Sequence, residues 1–141
     1  RGDTPWAAAR QRFCGATDPA KALAGSLRAE LLRRQRELEL PEVSANFNGF
    51  HLSAGPLEAL VELRRFASDL SRSPVPRPAG DFVFGRALAA RLPADAVAAL
   101  LRNPTIATPS GGRSAFDLTE EKDPPEALEI LAAAVSRAAR R

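Results

Sequence analysis

The stretch GPLEALVELRRFASDLS, residues 55–71, is where the fold becomes readable. Its apolar residues Leu60, Leu63, Phe66, Ala67 and Leu70 recur at spacings of three and four, the period of one helix face. Pro56 stands in the first helical turn, where its missing N–H would go unsatisfied anyway and its φ is already helical. A helix over residues 56–71 is therefore expected, with that apolar face in the core.

Outward from this stretch, a capping residue followed by proline recurs at Thr4-Pro5, Asp18-Pro19 and Asp123-Pro124. An oxygen-bearing side chain there can accept from the open N–H groups of the first turn. Asp123 with Glu126 has the spacing of a capping box. These marks predict a helix over 5–13, stopped by Gly15, with Trp6, Ala9 and Phe13 on one side. They predict a longer one over 19–40, stopped by Pro41, with Leu23, Leu27, Leu31 and Leu38 as its apolar stripe. The last helix, 124–139, would bury Leu128, Leu131, Ala132 and Val135.

Two further helices are expected between these. One spans 81–92, capped by Asp81, and one spans 93–102 with Val97, Leu100 and Leu101 inward. Residues 73–80, with Pro74, Pro76 and Pro78 alternating, read as a stiff extended connection. Residues 104–122 read as an irregular loop around Ser110-Gly111-Gly112, with a short extended segment near Phe116 and Leu118. No β-branched run is long enough to suggest a sheet. The expected fold is all-α, a single compact domain of about six helices over residues 1–141.

Composition narrows the function classes. The chain has 141 residues, 45% of them hydrophobic and 26% charged, so it is too apolar to be disordered. It lacks a run of about eighteen apolar residues, so no membrane span is expected. A single cysteine, Cys14, excludes an internal disulfide, and with a single histidine, His51, there is no His/Cys cluster for zinc. No cofactor motif is present either: Ser110–Ser114 lacks the G-x-x-x-x-G-K-[ST] pattern of a phosphate loop. The chain begins at Arg1 without a methionine, as a processed piece would, and shows no secretory pattern, so a cytoplasmic setting is expected. Arg1-Gly2-Asp3 matches an integrin-binding triplet, a coincidence that three residues readily produce.

Eighteen arginines stand against two lysines, which hints at nucleic acid. Yet Ala, Arg, Pro and Gly make up 67 residues and all use GC-rich codons, so base composition accounts for the swap. Acids nearly balance bases, 17 against 20.

Two regions are candidate contact surfaces. The outer face of the 19–40 helix carries Arg28, Arg33, Arg34 and Arg36, interleaved with Glu30, Glu37 and Glu39, with Glu30 and Arg34 as an i,i+4 pair. The stretch SANFNGFHLS, residues 44–53, interleaves Asn46, Asn48 and His51 with Phe47 and Phe50. It reads either as a polar cleft with an aromatic floor or as a connection whose phenylalanines anchor in the core and cover His51. A faint helix-turn-helix over 88–101 fails because its second helix opens on Ala94-Asp95-Ala96, without base-reading donors. The expected function is a non-catalytic helical module that binds another protein through Arg28, Arg33, Arg34, Arg36, Asn46, Phe47, Asn48, Phe50 and His51. The alternatives are nucleic-acid binding through the arginine face and an enzyme with His51 as general base.

Overall fold

The computed structural model describes residues 3–140, so Arg1 and Gly2 of the Arg-Gly-Asp triplet lie outside the described residues. The chain is mostly helical, with one two-stranded hairpin among the described residues. It divides into two units, one ending at Leu52 and one beginning at Ser53.

In the first unit, helix α1 (Trp6–Ala8) runs straight into a π-helical turn over Ala9–Cys14. Gly15 ends it at φ 93°, a left-handed geometry that glycine adopts without a Cβ clash. Cys14 is buried, as a small apolar side chain at the end of that face should be.

The long helix expected over 19–40 does not form. Asp18 caps only a 3-10 turn, Pro19–Lys21, accepting from the Ala20 N–H at 3.1 Å. Ala22 is extended and Gly25 takes φ 83°, which breaks the helix before Ser26 starts a new one. That helix, α2 (Leu27–Arg33), is capped by Ser26 Oγ, which accepts from the Ala29 N–H at 3.4 Å. Turns follow, and Glu39 adopts φ 53°. The leucine stripe is split as a result: Leu27 and Leu31 are half-buried, whereas Leu23 and Leu38 are exposed.

In the second unit, α3 (Pro56–Leu70) begins where Gly55-Pro56 places it. Its buried face is rotated from the expected one. Leu57, Leu60 and Ser68 are inside, while Leu63, Phe66 and, at 89%, Leu70 are exposed. The Pro-rich connection folds back on α3 over Ser68 instead of spanning a gap. Arg77 N–H donates to Ser68 Oγ at 2.7 Å and Arg64 Nε donates to the Arg77 carbonyl at 2.6 Å.

A 3-10 turn, Ala79–Asp81, precedes α4 (Val83–Arg91) and α5 (Ala94–Leu100). Asp81 does not cap α4, because its carboxylate accepts from Arg77 Nε at 2.9 Å. The region expected to be irregular holds a hairpin of β1 (Thr105–Thr108) and β2 (Gly111–Ser114), followed by α6 (Ala115–Leu118). Phe116 and Leu118 are therefore helical, and Ser114 caps that helix by accepting from the Asp117 N–H at 3.1 Å. Helix α7 (Pro124–Ala138) starts at Asp123 without a side-chain cap, and Glu126 pairs with Lys122 at 2.7 Å in place of a capping box. The core joins Leu57 and Leu60 to Leu88, Leu92, Val97, Leu100, Ala115 and Leu131.

Candidate functional site

The 44–52 segment is held by side chains that satisfy its backbone. Arg28 on α2 donates through Nη1 to the Gly15 carbonyl at 2.8 Å and through Nη2 to the Phe50 carbonyl at 2.7 Å. Arg10, on the π-helical turn, donates to the Leu52 carbonyl at 3.1 Å. Asn48 Nδ2 donates to the carbonyls of Thr17 at 3.2 Å and Ala45 at 3.1 Å. Ser44 and Phe47 exchange backbone hydrogen bonds at 3.2 and 3.1 Å, and Gly49 turns at φ 72° over the Leu31 side chain. A chain without regular structure is thereby given partners for its carbonyls.

These contacts shape a hollow of about 610 Å³. Asn46, Phe47, Asn48, Phe50, His51 and Arg28 all line it, so six of the nine residues singled out in the sequence meet at one place. Phe47 is 62% exposed and does not anchor in a core, while Phe50 is half-buried. His51 is exposed, not covered by the loop. Arg10 and Thr17 join the lining from outside the stretch, and nothing local in the sequence marks them. Two arginines border this space and no aspartate or glutamate lines it. Arg28 Nε is buried without a hydrogen-bond partner, which leaves one donor of a fixed charge unused.

Arg33, Arg34 and Arg36 do not line the hollow. Arg33 Nε and Nη2 both donate to Glu30 Oε2, at 2.9 and 2.6 Å, so Glu30 pairs at i,i+3 rather than with Arg34. Arg34 instead makes a two-pronged pair with Glu37, its Nε to Oε2 at 2.9 Å. The hydrogen bond from each arginine holds the partner carboxyl of Glu30 or Glu37 below the usual carboxylate range. The arginine face is thus largely self-neutralised, with Arg36 exposed beside it.

No cysteine, serine or lysine lines the hollow. Cys14 is buried and does not line the hollow, so a Cys–His pair with His51 is not assembled there. Among the described residues no group of His, Cys, Asp and Glu is placed to hold a metal ion. No helix among them is long and apolar enough to cross a membrane. Arg113, the cation of the glycine loop, donates to the Asp117 carbonyl at 2.6 Å. No family model, curated protein or solved structure matches the chain.

Proposed function

We propose that the protein is a non-catalytic, helical interaction module and that its hollow receives an acidic segment of a partner protein. The observation that carries this reading is the lining itself: Arg10 and Arg28 border a concave space whose lining includes no aspartate or glutamate. A carboxylate entering it gains two positive charges already desolvated by the fold, which strengthens each hydrogen bond it accepts. The exposed ring of Phe47 supplies apolar contact at the rim, and the Asn46 and His51 side chains supply polar contact. The outer α2 face contributes less, because Arg33 and Arg34 already have carboxylate partners.

The test is fluorescence anisotropy of the full chain with a labelled Glu/Asp-rich dodecapeptide, alongside labelled duplex DNA and single-stranded RNA. The reading expects saturable peptide binding that Phe47→Ala weakens about tenfold, roughly 1.4 kcal/mol. Asn46→Ala and His51→Ala should weaken it further in combination, with an unchanged far-ultraviolet spectrum. Arg10 and Arg28 are avoided as test positions because both hold the loop. Arg33→Glu with Arg34→Glu should alter capture little; abolished capture would return the site to the α2 face. Nucleic-acid binding that collapses with salt, without peptide binding, would replace this reading by phosphate recognition.

A further inference from the structure

The second unit contains another concavity, of about 420 Å³, between α5, β1 and the last turns of α7. Thr105, Ile106 and Ala107, three successive residues of β1, all line it. Successive side chains of a strand point to opposite faces, so a cleft lying on one face would be lined by alternate residues. Three in succession put the edge of the strand at the cleft. β1 pairs with β2 in a sheet of two strands, so this second edge carries no strand among the described residues. An edge of that kind presents backbone donors and acceptors ready to pair with an extended chain.

The rest of the lining is mostly alanine, with Leu100 beneath, and its one charged residue is Arg137. Arg137 is exposed and makes no ion pair among the described residues. Carbonyls at the end of α7 disfavour an anion by about half a unit charge, and the full charge of Arg137 outweighs that. A strand edge, an apolar floor and one cation without an ion pair therefore meet at one concavity.

We propose that this groove binds the C-terminal end of an extended peptide from a partner protein. The peptide adds a strand to β1, seats an apolar terminal side chain between α5 and α7, and pairs its terminal carboxylate with Arg137. Main-chain pairing supplies affinity in this mode, and the pocket with the carboxylate supplies selectivity.

The test uses the full chain and a pool of fluorescein-labelled octapeptides. Each begins Gly-Ser-Gly-Ser and ends in four positions randomised over alanine, valine, leucine, isoleucine, threonine and serine. The pool is made once as free acids and once as C-terminal amides. Binding of the acid pool is expected, with the amide pool at least tenfold weaker. Arg137→Gln should bring the acid pool down to the amide level. Ala99→Leu fills the cleft with another good helix former and should abolish binding at an unchanged helical spectrum. No binding by either pool, equal binding of acids and amides, or full binding by the Ala99→Leu chain each overturns the proposal. A concentration-dependent dimer by light scattering that Ala99→Leu dissolves also overturns it, by giving the groove to a second copy.

Discussion

Two glycines of the second unit behave oppositely as single residues. Gly85 lies inside α4, where glycine normally costs about 1 kcal/mol relative to alanine. A Cβ there would run into the Ala79 carbonyl, so close packing overrides helix propensity. Gly85→Ala should therefore destabilise by about 1–3 kcal/mol, the range for overpacking a tight site, read from urea midpoints. Gly80 has no atom within 4 Å of a built Cβ, and Gly80→Ala should leave the midpoint unchanged or raise it by about 0.4–1 kcal/mol. A destabilised Gly80→Ala chain beside an unaffected Gly85→Ala chain would contradict this packing.

At the scale of elements, Ser68 decides how the Pro-rich connection lies on α3. Its hydroxyl donates to the Arg64 carbonyl at 2.8 Å and accepts from the Arg77 N–H, while the residue is only 3% exposed. Ser68→Ala removes the nearer of the two acceptors of that N–H and leaves it the Arg64 carbonyl at 3.2 Å, so the expected cost is that of one ordinary hydrogen bond, about 0.5–1.5 kcal/mol. Hydrogen exchange should quicken at the Arg77 amide more than within α4. Helix α2 depends on a different bond, the Ser26 cap, and Ser26→Ala should lower stability by about 1 kcal/mol.

The pairs along α2 and the turn after it add a pH dependence. Hydrogen bonds from Arg33 and Arg34 hold the carboxyls of Glu30 and Glu37 below the usual carboxylate range. A lowered folded value means the contribution is complete above the unfolded value and is lost as pH falls through the folded one. The contribution of the pairs should thus be flat from neutrality down to the unfolded carboxyl value and fade as pH falls from there through the folded one, read in the helical signal of α2. Both pairs are exposed, so the change is small and salt reduces it.

At the scale of the molecule, buried apolar side chains are unevenly distributed. Residues 53–141 contain the whole cluster from Leu57 to Leu131, whereas the described apolar side chains that the first unit buries are those of Cys14, Pro19 and Val43. A chain of residues 53–141 alone should keep a helical spectrum and a cooperative melt, and Leu88→Ala should cost it about 2–5 kcal/mol. Residues 1–52 alone should melt broadly, because so small a core leaves little to offset chain entropy. A fragment 53–141 without cooperative melting would show that its core is incomplete.

Local signals were legible wherever a helix boundary depends on one or two residues. Gly15, Gly55-Pro56 and Asp123-Pro124 mark termini through backbone geometry that neighbours hardly alter. The stretch Ser44–Ser53 stood out because asparagines, a histidine and phenylalanines crowd a segment with no helical period. Periodicity failed where one residue breaks it: the leucines at 23, 27, 31 and 38 keep helical spacing across Gly25, which takes φ 83°. The hairpin is not legible because each strand is only four residues long and Gly111–Ser114 has no β-branched residue to match Thr105, Ile106 and Thr108, so pairing between the strands carries the structure.

The sequence by itself determined the helical class, most helix starts and the crowding of polar and aromatic groups at 44–53, since each follows from local propensity and spacing. Only tertiary structure decided which face of α3 is buried and that Arg28 clamps the loop while Arg33 and Arg34 pair with glutamates. It alone brought Arg10 and Thr17 beside His51, and Arg137 beside the open edge of β1. Those outcomes depend on hydrogen bonds and packing between residues far apart in the chain, such as Arg10 to Leu52 and Arg28 to Phe50, which no local pattern encodes.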